Sequence, residues 1–184
     1  MSLNIKEIEN IVEAILFASG EAVSLEKLSE VCDVDQNTMR KILLNLGFGY
    51  KSGERGICLN EINGKYQLSS KPEYYDYIQE VMEPRANQPL SQAALEALSI
   101  VAYNQPITRA GIEKIRGVNS DSAISRLIER DLIYVSGTMN VLGRPRLYKT
   151  TDEFLRVFGI KNISEMPELD ENIDKSFFEV IEDE

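Results

Sequence analysis

Two helix-start signals stand close together in the stretch ITRAGIEKIRGVNSDSAISRLIERD, residues 107–131. Thr108 follows an apolar residue and has Ile112 at the fourth helical position, which is the pattern of an N-cap with a hydrophobic staple. Asn119 stands 11 positions later, again after an apolar residue, and a longer apolar-periodic run comes next. A short helix, a turn and a longer helix in this order predict a helix-turn-helix.

The same signals occur a second time, 84 residues earlier in the chain. Ser24 and Asp35 are capping residues, also 11 positions apart, and they precede Thr108 and Asn119 respectively by 84 positions. A supersecondary unit that recurs at a fixed offset indicates a duplicated fold. We therefore expect two similar small domains.

Each copy opens with a predicted amphipathic helix. Apolar residues of the first helix follow the i, i+3, i+4 spacing of a buried stripe. The second helix has Ser91 as its cap, with Leu90 and Leu95 as the staple. The predicted core positions are Ile8, Ile11, Val12, Ile15 and Leu16 in the first copy and Leu95, Leu98, Val101 and Ala102 in the second, where 100–102 repeats 16–18 at the offset of 84.

The hydrophobic period changes from 3.6 to 2 after the third helix of each copy. Alternating residues flank Asn63-Gly64, the dipeptide that most strongly signals a type I′ hairpin. In the second copy residues 132–135 and 146–148 flank a looser tip at 137–143. Three helices and a hairpin predict a winged helix. We therefore expect a mainly α chain with small β-hairpins (α+β), formed by two tandem winged-helix domains.

A further helix is predicted to close each copy. The first runs over 72–82, and the second begins at Thr150, where Thr150 and Glu153 form a capping box. The segment 83–89 holds two prolines and is interpreted as a linker. The predicted divisions are 1–83, the N-terminal winged helix; 84–160, the C-terminal winged helix; and 161–184, an acidic and disordered tail.

The net charge of −10 is unevenly distributed along the chain. Residues 1–83 carry a net charge of −6, residues 84–160 carry +3, and residues 161–184 carry −7. Acidic segments repel phosphate, so we expect DNA binding by the chain to be weak or indirect. The basic middle segment is the half in which we expect a partner-binding surface.

The residues for catalysis are missing from the sequence. It has no histidine, which is the commonest general base near neutral pH and the commonest metal ligand. Ser24-Leu25-Glu26-Lys27 matches the Ser-x-x-Lys pattern of penicillin-binding enzymes, but their other motifs are absent and Ser24 is predicted to cap a helix. The apolar segment 11–18 is too short to span a membrane. We predict a cytoplasmic protein with no enzyme activity, cofactor, metal, membrane association or small-molecule substrate.

The third helix of the first copy, predicted over 36–50, is a candidate homodimer interface. Its apolar arc is wider than one core-facing stripe, so part of it requires cover from another protein surface. Leu44 and Phe48 are the residues predicted to form this interface.

The third helix of the second copy, predicted over 119–131, is a candidate partner-binding surface. We expect it to bury Ile124, Leu127 and Ile128, and to present Arg126 and Arg130 on one outward face, with Asp121 and Glu129 close enough to weaken their charge. The predicted partner-binding residues are Tyr103, Arg126 and Arg130, together with Arg144 and Arg146 of the adjoining wing.

The wing sequence Gly143-Arg144-Pro145-Arg146 allows two interpretations. Arginines beside Gly and Pro are typical of segments that lie in an A·T-rich minor groove. Alternatively, Gly and Pro shape the entry to a strand while both arginines are solvated, and we favour this second interpretation because so short a motif is weakly specific.

Long ordered runs of the sequence closely resemble the segregation and condensation protein B family, whose members are tandem winged-helix subunits of the bacterial SMC chromosome complex. The resemblance covers residues 8–160. It rests on Ala14–Glu21, Leu90–Glu96, Ile100–Tyr103, Gln105–Arg109, Ile115–Asp121, Gly143–Pro145 and Tyr148 through Phe154.

The resemblance implies a non-catalytic homodimer that binds the kleisin subunit and, through it, the SMC ATPase. Such a subunit supports chromosome condensation and segregation, and is associated with the nucleoid through the SMC complex. The alternative is a stand-alone helix-turn-helix transcription regulator. A regulator of that class requires a basic recognition surface, and both the net charge and the apolar third helix of the first copy count against it.

Overall fold

The computed structural model describes residues 4–51, 54–82 and 89–168. The chain forms two compact units, Met1–Asn87 and Gln88–Glu184. Most of the predicted linker and residues 169–184 of the predicted tail lie outside the described residues. None of the helices in the described ranges is long and apolar enough to cross a membrane.

The first unit has the element order of a winged helix. Its three strands form an antiparallel sheet in the order β1-β3-β2. Its elements are α1 (Ile5–Ser19), β1 (Val23–Ser24), α2 (Leu25–Cys32), α3 (Gln36–Lys51), β2 (Ile57–Ile62), β3 (Lys65–Ser70), a 3-10 turn (Pro72–Tyr74) and α4 (Tyr75–Val81).

The second unit repeats this order, and its sheet follows the equivalent order β4-β6-β5. Its elements are α5 (Gln92–Asn104), β4 (Ile107–Thr108), α6 (Arg109–Arg116), α7 (Asp121–Glu129), β5 (Ile133–Thr138), β6 (Arg146–Thr150), α8 (Asp152–Phe158) and a 3-10 turn (Ile163–Glu165). The predicted α+β class and the tandem winged-helix fold are confirmed. Each sheet contains one strand more than the predicted hairpin. The additional strands, β1 and β4, were not predicted because they are only two residues long.

Most of the predicted helix caps are confirmed. The Ser24 hydroxyl accepts the Lys27 amide at 3.2 Å, and the Thr108 hydroxyl accepts the Gly111 amide at 3.1 Å. Asp35 accepts two backbone amides of the first turn of α3 at 3.0 Å. Because Ser24 performs this capping role and Lys27 Nζ lies 2.8 Å from a glutamate, the Ser-x-x-Lys resemblance has a purely structural origin.

Two predicted helix starts are wrong by one residue. The N-cap position of α7 is Ser120 rather than Asn119, since the Asn119 side chain instead accepts the Asp121 amide in a turn. The predicted capping box of Thr150 and Glu153 does not form, because Thr150 ends strand β6 and Thr151 caps α8. At α8 the neighbouring threonine takes over the capping role, whereas the Ser120 side chain makes no capping hydrogen bond and contacts Arg116 instead.

Two predicted core residues of the second unit are largely exposed. Leu95 is 42% exposed and Ile128 is 41% exposed. The buried residues of α5 include Ala94 and Ala97, those of α7 include Ala123, and the two helices pack against each other. Small side chains therefore fill part of this core, while Leu95 and Ile128 remain partly exposed.

The two copies differ at an equivalent position of their first helices. Val101 is fully buried in α5, whereas Phe17, its counterpart at the offset of 84, is 80% exposed in α1. The core of α1 consists of Ile8, Val12 and Leu16, with Ile11 and Ile15 partly buried, as predicted. The duplication therefore preserves the helix frame but not the burial of every position.

The tips of the two wings also differ. Asn63 and Gly64 have φ angles of 48° and 70°, which confirms the predicted type I′ turn directly between β2 and β3. The second wing has an irregularity between Val135 and Gly137, and seven residues separate β5 from β6.

Candidate protein-binding surfaces

The outer face of α3 carries the two predicted dimer residues. Leu44 is 62% exposed and Phe48 is 68% exposed, one helical turn apart. The opposite side of the helix buries Met39 and Leu43 in the core. The Lys51 ammonium lies 5.9 Å from the centre of the Phe48 ring. α3 thus presents an apolar face to the outside while a separate face of the same helix holds the core together.

The end of α3 is anchored to α1 by a buried tyrosine. The Tyr50 hydroxyl donates a hydrogen bond to Glu13 at 2.5 Å, and the Arg55 guanidinium lies over the Tyr50 ring. Burial, together with this bond to a carboxylate, raises the pKa of Tyr50 to about 12. Because Phe48 lies two residues before this anchor, its place on the outer face is fixed by the fold.

The two predicted arginines of α7 lie on and just after the helix. Arg126 forms an ion pair with Glu129 at 3.2 Å, and both side chains are about half exposed. Arg130 is the C-cap residue. Asp121 does not pair with Arg126 but binds Arg109 at 2.5 Å. Hydrogen bonds from the Asn119 side chain and from Arg109 lower the pKa of Asp121. The exposed Ile128 adds apolar surface that the sequence did not predict.

Tyr103 is half-buried at the end of α5 and contacts the last part of the described chain. Its hydroxyl donates a hydrogen bond to the Pro167 carbonyl at 2.9 Å. Residues 161–168, part of the predicted disordered tail, include a 3-10 turn capped by Asn162. The sequence did not predict this contact, because its acceptor is a backbone carbonyl and every residue carries one.

The five predicted partner-binding residues fall into two groups. Tyr103, Arg126 and Arg130 lie on α5 and α7, which pack against each other. Arg144 and Arg146 lie on the second wing, where both are exposed. We call the first group, together with Ile128, the α7 face, and the second group, together with the wing tip, the second-wing surface.

Two family-specific runs hold the fold rather than line a surface. The Arg116 side chain is only 7% exposed, and it donates hydrogen bonds to the Ser120 hydroxyl at 2.8 Å and to Glu96 at 3.3 Å. The side-chain oxygen Oε1 of Gln105 accepts hydrogen bonds from both the backbone amide and the hydroxyl of Thr150, at 2.8 and 3.1 Å. The first contact joins α5 to the helix-turn-helix turn, and the second joins α5 to β6.

Among the described residues, no group of three or more Cys, Asp or Glu side chains is arranged to hold a metal ion.

Comparison with known proteins gives concordant matches along the chain. The sequence model of the family described as segregation and condensation complex subunit ScpB matches residues 10–169. Segregation and condensation protein B of Ruminiclostridium cellulolyticum is 54% identical over 168 residues, which are 91% of this chain and 88% of that protein. Its namesake in Acetivibrio thermocellus is 52% identical over 166 residues, or 90% and 84% of the two chains.

Among solved structures, the fold is similar to the crystal structure of ScpB from Mycobacterium tuberculosis. The two share 27% sequence identity with a TM-score of 0.44, over 87% of this chain and 99% of that chain.

Proposed function

Because the chain belongs to the segregation and condensation complex subunit ScpB family, we propose that it acts as a non-catalytic, homodimeric subunit that binds the kleisin of an SMC complex. The observation that carries this proposal is the family match over residues 10–169, which includes both winged helices. In this role the chain resides in the cytoplasm and reaches the nucleoid through the SMC complex.

The direct test of this role is affinity purification of the tagged chain from the cytoplasm of its source. We expect an SMC ATPase and its kleisin to be recovered together, at comparable amounts. Recovery of the chain with promoter DNA and without those two proteins would instead support the transcription regulator.

Homodimerisation is assigned to Leu44 and Phe48 on α3. A two-fold axis brings each side chain into the interface twice, so four large apolar groups become covered. Full burial of such a side chain contributes roughly 1.5–3 kcal/mol, and about two thirds of each is available here. The gain is therefore about 4–8 kcal/mol, which corresponds to three to six orders of magnitude in the dimer Kd.

Light scattering at about micromolar concentration tests the dimer, because a change of this size in Kd converts a dimer into a monomer at that concentration. The wild type is expected at twice the 20.8 kDa chain mass, and Leu44→Glu/Phe48→Glu at 20.8 kDa. Tyr77→Glu/Val81→Glu is the matched control, because both residues are exposed and one turn apart on α4. A dimer that survives the first pair, or dissociates equally with the control pair, removes α3 as the interface.

The kleisin contact is assigned to the α7 face. Ile128 supplies exposed apolar surface on α7, Arg126 is exposed, and Tyr103 and Arg130 are partly exposed. Tyrosine and arginine are among the residue types that most often dominate binding energy. Arg126 can exchange its surface ion pair with Glu129 for a partner carboxylate at little cost, since exposed pairs contribute about 0–1 kcal/mol.

Isothermal titration of a kleisin fragment tests this assignment. Arg126→Glu/Arg130→Glu is expected to weaken binding at least about tenfold, which is about 1.4 kcal/mol. Arg144→Glu/Arg146→Glu carries the same charge change on the wing and is expected to bind within about twofold of wild type. Equal affinities of wild type and the α7 variant would place the kleisin site elsewhere, while circular dichroism confirms that both variants are folded.

A further inference from the structure

The second wing is free of acidic residues within a strongly acidic chain. Residues 133–150 include Arg144, Arg146 and Lys149 and no Asp or Glu, although the whole chain has 30 acidic residues. The first wing, by contrast, contains Glu61 beside Lys65. A segment that carries cations and no anions attracts a polyanion.

The tip of the second wing presents an apolar apex. Leu142 is completely exposed, and Val141 and Met139 are 51% and 37% exposed. The described structure buries none of these side chains in the core, so their apolar character has no role in packing the unit. An exposed apolar group of this kind, flanked by charge, is typical of a binding surface.

The tip is also held in one conformation. The Arg144 amide donates to the Val141 carbonyl at 2.9 Å, and the Met139 amide donates to the Pro145 carbonyl at 2.9 Å. Gly143 and Arg144 both adopt positive φ angles, 84° and 41°. A non-glycine residue in this region is uncommon, and the two hydrogen bonds hold it there. The apex therefore meets a partner without first being ordered.

We propose that the second-wing surface inserts into the minor groove of DNA, which goes beyond the binding of kleisin by the α7 face. Leu142 acts as an apolar wedge at a base step, and Arg144 and Arg146 contact the groove or the phosphates on either side. Proteins that bind the minor groove use this combination of an inserted apolar side chain and flanking arginines. An acidic protein segment with an apolar pocket is the competing occupant, and competition with a minor-groove ligand distinguishes the two.

Binding to DNA is expected to be weak, because the wing supplies only three cations in a chain with a net charge of −10. Neutralising each phosphate contact changes the slope of log K against log salt by about 0.9. Loss of two arginine contacts therefore lowers that slope by about 1.8, whereas loss of the leucine leaves it unchanged.

The test is fluorescence anisotropy of the full chain with a labelled A·T-rich duplex of about 24 base pairs, at about 50 mM salt, where counterion release favours binding. Leu142→Ser and Arg144→Gln/Arg146→Gln are the wing variants. Arg126→Gln/Arg130→Gln removes the same charge from α7 and is the matched control. We expect at least an about tenfold loss for the wing pair, a severalfold loss for Leu142→Ser, and little change for the control.

Netropsin, which occupies the minor groove, should displace the wild-type chain from the duplex. Three results would overturn the proposal: unchanged binding by the wing variants, a larger loss in the α7 control than in the wing pair, or binding that netropsin does not affect. An absence of binding at low salt would do the same. Because kleisin titration uses different residues, failure of this test leaves the proposed function of the chain standing.

Discussion

Arg116→Met is expected to destabilise the second unit by about 2 kcal/mol, although it leaves both proposed surfaces intact. The arginine is 7% exposed and joins the end of α6 to Ser120, a fully buried serine, and to Glu96 on α5. A hydrogen bond between a charged and a neutral group contributes about 1.5 kcal/mol or more. The pair with Glu96 adds about 0.5 kcal/mol, because the glutamate side chain is 47% exposed.

Urea unfolding measures this loss. Far-ultraviolet circular dichroism is the signal of choice, because the chain has no tryptophan whose fluorescence could be followed. With a slope of about 2 kcal/mol per molar urea, the midpoint of the unit is expected to fall by about 1 M. Glu96→Gln is the control and should lower the midpoint by about a quarter of that amount. A shift for Arg116→Met no larger than that of Glu96→Gln would refute the reasoning, because the buried bond to Ser120 would then contribute nothing.

Three further changes test the fold of each unit. Gly111→Ala is expected to lower the free energy of unfolding by about 1–2 kcal/mol, because the new Cβ would lie 2.9 Å from the Ile107 side chain. This clash outweighs the better helix propensity of alanine, and thermal unfolding measures the loss. Ser24→Ala should cost about 1 kcal/mol through loss of the N-cap, and Lys27→Ala much less, in the same assay. The pKa of Tyr50 is about 12 in the folded state and about 10 in the unfolded chain. Between these pH values the folded state therefore keeps a proton that the unfolded chain releases. Stability from this source is complete below pH 10 and is lost as pH rises towards 12, a loss that Tyr50→Phe should remove in unfolding measured against pH.

The sequence predicted the features of this fold that depend on local chemistry. Caps such as Ser24 and Thr108 act within four residues, so their spacing alone predicted both helix-turn-helix units. The type I′ turn at Asn63-Gly64 was equally predictable, because its positive φ angles favour those residues. Strands β1 and β4 were missed, since two residues are too few to show an alternating pattern.

Features that depend on packing between helices were not predictable in this way. Leu95 has the spacing of a core residue, but Ala94 and Ala97 are the buried residues at this end of α5 and Leu95 is 42% exposed. Arg116 was not recognised as a structural residue, because its contact with Glu96 joins two helices across 20 positions of the sequence. The sequence placed Arg126 and Arg130 on the third helix and Arg144 and Arg146 on the wing, but it did not predict the exposure of Ile128.

The bond between Gln105 and Thr150 has a mechanical consequence for the second wing. Thr150 is the last residue of β6, and its amide and hydroxyl are both held by the side chain at the end of α5. The next amide, that of Thr151, is held by the Leu132 carbonyl at the root of the opposite strand. A force on the wing tip is therefore transmitted to α5 through these hydrogen bonds, and the base of the wing does not act as a hinge.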